Sequence, residues 1–142
     1  MACAISVLLV DDHALLRNAL HRMLEDDPEL AVIGEASNGA EAVELARELA
    51  PQVVVMDFAM PVMDGVQAAR RILRLAPATA ILMLSMSAEE KSVRQAFEAG
   101  AQGYLLKNAV GLDLGGAVKA VAMGKRVLDL GPKNPILSHG MC

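Results

Sequence analysis

The stretch VVVMDFAMPVMDGV, residues 53–66, decides the architecture. Val53 to Met56 form a continuous apolar run with no polar alternation, the pattern of a short strand buried on both faces of a parallel sheet. The run ends on Asp57, and a turn carrying Pro61, Asp64 and Gly65 follows. Asp64 and Gln67 have the spacing of a helix capping box, so Pro61, Asp64 and Gly65 read as turn and cap. Asp57 needs a different reason, because burying a carboxylate without a role is expensive.

Similar runs recur on either side: ISVLLV (5–10), LAVIGEA (30–36), AILMLS (80–85) and GYLLK (103–107). Helical periodicity fills the gaps. Leu15, Leu16, Ala19, Leu20, Met23 and Leu24 fall on one helical face, as do Ala42, Val43, Leu45, Ala46 and Leu49. Five strands alternating with helices predict an α/β fold, with parallel strands joined by right-handed crossovers and helices on both faces. Asn38 with Glu41 and Ser87 with Glu90 also have capping-box spacing. Gly100 reads as a helix stop and Gly103 as a turn before the fifth strand. The tail DLGPKNPILSHGMC, from residue 129, is rich in Pro and Gly and is expected to fray.

Composition narrows the class. A chain of 142 residues fits one domain. Its apolar fraction of 54% and charged fraction of 21% are those of a globular protein. Phe58, Phe97 and Tyr104 are the whole aromatic complement, so the core must be aliphatic, with the methionines as adaptable packing. A net charge of −4 supplies no attraction for a polyanion. MACAISVLLV lacks a basic start and runs into Asp11 and Asp12, which predicts neither a signal peptide nor a membrane span. Cys3 and Cys142 have no metal-ligand spacing. The cytoplasm is the expected compartment.

Ligands of an open parallel sheet bind beyond the carboxyl ends of the strands, where strand order reverses. Those ends carry Asp11 and Asp12, Asp57, Ser85 and Lys107. Three carboxylates in one place repel one another unless a cation intervenes. An oxygen-only pocket with so few carboxylates suits Mg²⁺, which keeps several waters. Lys107 and Ser85 then offer a point charge and a hydroxyl for a phosphoryl group on Asp57, whose carboxylate is a competent nucleophile. His13, His21 and His139 share no ligand spacing, and no metal role is expected of them.

In their order and spacing, VLLVDDH, VVVMDFAMPVMDG, ILMLSMS and AGAQGYLLK resemble the receiver domain of bacterial two-component response regulators, over about residues 5–126. DDHALLRNAL, VIGEASNGAEAVELA and GAQGYLLK are similar to its LuxR-type (NarL/FixJ-like) subfamily. The resemblance implies a flavodoxin-like (βα)5 doubly wound fold, with five parallel strands in the order 2-1-3-4-5. It implies Asp57 as phosphoacceptor, and Mg²⁺ held by Asp11, Asp12, Asp57 and the Ala59 backbone carbonyl. Ser85 and Lys107 would contact the phosphoryl group, and Ser85 and Tyr104 would form the switch pair. Residues 1–128 would be the receiver domain and 129–142 a flexible tail or linker stub. A sensor histidine kinase is the implied partner, a homodimer is an option, and DNA would be reached only through a C-terminal domain outside this chain. Many members follow the lysine with Pro; here Asn108 stands there. Gly115 and Gly116 predict a short or delayed last helix.

Rival readings are a stand-alone receiver acting through protein contacts, a receiver that no longer takes a phosphoryl group, a flavodoxin-like cofactor binder and a Mg²⁺-dependent phosphatase. The cofactor binder lacks a phosphate loop rich in Ser, Thr and Gly after the first strand. A phosphatase of the haloacid dehalogenase type needs a second Asp two residues after the nucleophile, where Ala59 stands. The expectation is a phosphoacceptor switch, not an enzyme, with at most slow self-dephosphorylation.

Overall fold

A computed structural model describes residues 4–107 and 113–131. Strands and helices alternate along the whole of it: β1 (Ile5–Val10), α1 (Ala14–Glu25), β2 (Leu30–Ala36), α2 (Gly39–Leu49), β3 (Val53–Asp57), α3 (Gly65–Leu75), β4 (Ala80–Ser85), α4 (Glu90–Glu98), β5 (Gly103–Leu106), α5 (Leu114–Ala122) and β6 (Val127–Asp129). All strand pairings are parallel, in the order β2-β1-β3-β4-β5-β6.

Alternation along each strand divides the core in two. Leu8, Val54, Met56, Ile81, Met83 and Tyr104 face one layer, packed on Ala42, Ala46, Ala68, Ala69, Ile72 and Ala96 from α2, α3 and α4. Val7, Leu9, Val53, Val55, Leu82, Leu84 and Leu105 face the other, packed on Leu20 and Leu24 of α1 and on Leu114, Val118 and Val121 of α5. Because both faces are covered, the strands read as unbroken apolar runs. On α1 the buried stripe is narrower than the periodicity predicts: Leu15 and Met23 are exposed.

Three expectations need correction. Among the described residues the sheet has six strands, not five. Val127–Asp129 pairs with Gly103–Leu105, and Leu130 beyond it is buried. Ser87 and Glu90 form no capping box. The Ser87 hydroxyl accepts from the Glu89 amide instead, the chain stays extended, and α4 starts at Glu90 behind the N-cap Glu89. Gly103 is the first residue of β5 and not a turn, while Gly100 does end its helix at φ 103°.

The other caps behave as read. Asn38 accepts from the Glu41 amide, although the Glu41 carboxylate turns back to Ser37, and Asp64 and Gln67 close a full capping box. Helix α5 is short, at nine residues, and Asp113 caps it by accepting from Gly116. A Cβ on Gly116 would strike that carboxylate, so the glycine that costs helix propensity also makes room for the cap. The Lys107–Asn108 peptide lies outside the described residues.

Candidate functional site

The chain runs from β1 to β2 on one side and on from β3 to the other, so the carboxyl ends of β1 and β3 flank the point of reversal. Asp11 follows β1, its amide extending the ladder to the Ala36 carbonyl at 3.1 Å. The His13 amide donates to Asp11 Oδ1 at 2.8 Å, fixing that carboxylate in an Asx turn ahead of α1. Arg17 Nη1 donates to the Asp11 carbonyl at 2.6 Å and its Nε to Glu35 at 2.8 Å, which ties the first turn of α1 to β2. Asp57 is the last residue of β3, paired in register with Leu84. The amide of Ala59 approaches Asp57 Oδ1 at 3.3 Å. A Cβ on Gly65 would collide with the Asp57 carbonyl oxygen, so only glycine lets α3 start this close to the site.

Lys107 closes the group from β5. Its amide donates to the Ser85 carbonyl at 2.7 Å. Its Nζ lies 2.9 Å from Asp11 Oδ2 and 3.1 Å from Asp57 Oδ2, with all three side chains buried. These are ion pairs by distance but not directed hydrogen bonds: Asp11 Oδ2, Asp57 Oδ2 and Asp12 Oδ1 are buried oxygens that accept none. One ligand atom from each of Asp11, Asp12, His13 and Asp57 falls within 4.8 Å of the others. One ammonium set against three clustered carboxylates leaves an excess of negative charge, which fits a hard divalent cation.

The charges are strained accordingly. Burial pushes the Asp57 carboxyl up to about 6; Asp11 and Asp12 add to the rise and Lys107 opposes it. Burial works against the Lys107 ammonium, yet Asp11 and Asp57 hold its pKa above the ordinary value. Ser85, the last residue of β4, is buried and accepts from the Ser87 amide at 3.0 Å. Tyr104 is fully buried, edge-on to Phe58 with ring centroids 6.1 Å apart, and donates to the Ser87 carbonyl at 2.6 Å. Burial raises its phenol, with Ser85 and Ser92 pulling the other way.

The structure therefore brings Asp11, Asp12, Asp57 and Lys107 into one group and sets Ser85 at its edge. Tyr104 reaches the loop beyond Ser85. Pro61, Asp64 and Gly65 form the turn after the site. Two features were not legible beforehand. His13 turns its ring to the acids, with Nδ1 3.3 Å from Asp11 Oδ1 and 3.2 Å from Asp12 Oδ1; its place directly after the acid pair was the available signal. Val62 has φ 71° and sits between the Pro61 carbonyl and the Met63 amide, joined at 2.8 Å. That is a strained γ-turn on a β-branched residue.

The chain belongs to the response regulator receiver domain family, whose sequence pattern matches residues 7–119. Its similarity falls in the LuxR-type branch. It is 40% identical over 135 residues to the transcriptional regulatory protein LiaR of Bacillus subtilis, covering 95% of this chain and 64% of that protein. It is 41% identical over 124 residues to the response regulator UvrY of Escherichia coli, covering 87% and 57%. The chain thus spans about three-fifths of the length of the curated relatives it matches. Among solved structures, a LuxR-family two-component response regulator from Aurantimonas superposes with a TM-score of 0.87 at 34% identity over 96% of both chains. The signal receiver domain of NarL from Mycobacterium tuberculosis does so with 0.81 at 36% identity, over 87% of this chain and 99% of that one. No helix among the described residues is long and apolar enough to cross a membrane.

Proposed function

We propose that the chain is a phosphorylation switch in which Asp57 accepts a phosphoryl group from a sensor histidine kinase in the cytoplasm. The observation that carries this reading is the buried, hydrogen-bond-poor Oδ2 of Asp57 at the end of β3, 3.1 Å from Lys107 and beside two further acids. An Asp57 oxygen attacks the phosphorus of phosphohistidine, the P–N bond breaks, and its electron pair returns to the imidazole nitrogen, which takes up a proton. The product is an acyl phosphate. Lys107 and the Ser85 hydroxyl bind the transferred oxygens. Asp11, Asp12, Asp57 and the Ala59 carbonyl would hold Mg²⁺, which would offset the crowded negative charge of carboxylates and phosphoryl group.

Ser85 connects this chemistry to the surface. Its hydroxyl now holds the Ser87 amide, and Ser87 in turn holds Tyr104. Drawing the hydroxyl to a phosphoryl oxygen releases that amide, and the loop from Ser85 to α4 settles into a second arrangement around Tyr104, whose ring is already buried. The phosphoryl group biases the equilibrium only through such differential contacts. Turnover is slow, because Ala59 offers no acid or base to the acyl phosphate. The receiver domain extends from residue 1 to about 131, with the remainder as linker. The chain is the N-terminal part of a LuxR-type transcriptional regulator whose DNA contacts belong to a C-terminal domain, and homodimerisation accompanies activation; a stand-alone receiver is the second reading.

The test is incubation with Mg²⁺ and acetyl phosphate followed by intact mass analysis. The wild type gains one phosphoryl group and Asp57→Asn gains none. An equal adduct on both proteins refutes the assignment.

A further inference from the structure

We infer that two copies of this chain dock through the outer faces of α2 and α3, the glutamates of one copy's α2 meeting the arginines of the other's α3 about a two-fold axis. The surface serves the homodimer proposed above, but it lies outside the acidic site and does not depend on phosphoryl transfer to Asp57.

Charge is separated between these two neighbouring helices. Among the described residues Arg17, Arg94, Lys107 and Lys119 each meet a carboxylate. Arg70, Arg71 and Arg74 meet none, and all three are exposed. Helix α3 has no acid of its own from Gly65 to Leu75. Its arginines stand at i,i+3 and i,i+4 spacing, where like charges destabilise a helix. On α2 the exposed charges are mostly of the other sign: Glu41, Glu44 and Glu48, against Arg47. Glu41 is taken by the Ser37 amide and hydroxyl. Glu44 makes an exposed pair with Arg47 at 2.6 Å, which leaves its other oxygen able to accept.

The two faces match in height. Both helices leave the carboxyl ends of parallel strands, so they run in the same direction, and both pack on one layer of the core. The Gly39 amide donates to the Met63 carbonyl at 3.2 Å, which sets the two helix starts side by side. Glu44 and Glu48 stand five and nine residues beyond Gly39; Arg70 and Arg74 stand five and nine beyond Gly65. Glutamate and arginine are thus level at about 7 Å and again at about 13 Å along the helices. Two residues turn a helix by about 200°, so these four side chains lie opposite the buried Ala42, Ala46, Ala68 and Ile72. A two-fold axis between α2 and α3, parallel to both, lays the second copy's α2 over α3 and changes no residue's height. Glu44 then faces Arg70 of the second copy and Glu48 faces Arg74, each pair occurring twice in a closed, isologous contact. Val62, 84% exposed, adds apolar surface beside the arginines in an open groove of about 360 Å³. A DNA duplex on α3 would meet Glu44 and Glu48 alongside, and the net charge of −4 opposes it. A second copy satisfies both helices.

Sedimentation equilibrium, in chelator and without phosphodonor, compares wild type, Arg70→Glu with Arg74→Glu, Glu44→Lys with Glu48→Lys, and an equimolar mixture of the two reversed chains. All four positions are exposed, and urea unfolding checks that each chain is folded; Arg70→Gln with Arg74→Gln replaces a reversal that is not. The wild type dimerises, and its Kd rises by about tenfold or more between about 0.02 M and about 0.5 M NaCl. Exposed pairs are individually weak, but each reversal turns all of them repulsive and weakens the dimer by about tenfold or more; the Gln variant weakens it less, in the same direction. The mixture recovers a heterodimer, because one chain is then acidic on both helices and the other basic on both. A monomeric wild type, reversed chains that dimerise like wild type, or a mixture without recovery overturns the inference. Dimerisation that appears only with acetyl phosphate and ignores the reversals leaves the homodimer of the switch standing and removes this surface alone.

Discussion

Replacing Asp57 by Asn should stabilise the metal-free protein, and the size of the gain follows from the site. Asp57 is buried against Asp11 and Asp12, and its carboxyl is pushed from the ordinary 3.8 to about 6. A raised carboxyl pKa in the fold means that ionisation disfavours folding: the penalty is absent below the unfolded value, grows as pH rises from 3.8 to about 6, and is constant above. At about 1.4 kcal/mol per tenfold, ionised Asp57 costs on the order of 3 kcal/mol at pH 7, and about 1 kcal/mol at pH 4.5. Asn removes the charge and leaves Lys107 paired with Asp11. With an unfolding entropy of roughly 0.3 kcal/mol/K for a chain this long, Tm at pH 7 rises by roughly 10 °C. Urea and thermal unfolding in chelator, at pH 7 and pH 4.5, read the effect. Mg²⁺ added at 100 times its Kd stabilises the wild type by about 2.7 kcal/mol and closes most of the gap. An Asn variant no more stable than wild type at pH 7, or equally advantaged at both pH values, would refute the placement of a strained carboxylate here.

Three further outcomes test the surroundings. Ala50 ends α2 at φ 47°, so Ala50→Gly relieves a left-handed alanine and raises stability in urea by about 1 kcal/mol. The hydrogen bond to Glu35 leads in raising the pKa of His21, with Glu25 assisting against burial; the stabilisation is full below the ordinary 6.5 and is lost as pH rises through the raised value. Glu35→Gln therefore moves the His21 imidazole titration down in NMR and flattens stability between those values. Tyr104→Phe removes the 2.6 Å bond to the Ser87 carbonyl, costs about 1–2 kcal/mol, and speeds amide exchange in the loop between Ser85 and α4.

What the sequence revealed and what it hid divide along the range of the interactions. Asp57, Asp11, Ser85 and Lys107 were legible because parallel topology converts four positions far apart in the chain into one rim, and the end of an apolar run marks each position. The capping of α3 was legible because Asp64 and Gln67 satisfy each other within one turn. Strand β6 was not: VLD is three residues long, too short for periodicity, and its place is set by pairing with β5 across α5. The start of α4 was misread because the Ser87 hydroxyl serves the amide two residues on, not the one three residues on. The Ser85 hydroxyl takes the Ser87 amide and the Ser87 hydroxyl the Glu89 amide, two successive ST-type turns that hold the chain extended where a cap would have begun a helix. That pair of turns also makes the loop a candidate for switching, since its first acceptor is the hydroxyl a phosphoryl group would recruit. His13 and the Val62 turn escaped for a third reason. Residue type gives neither the direction of an imidazole nor a left-handed φ on a β-branched residue; both are imposed by neighbours, Asp11 and Asp12 in one case and the chain path between β3 and α3 in the other. The hidden features thus lie beside the legible site, where tertiary contacts outweigh local preference, and local strain of this kind is more tolerable where function benefits from it.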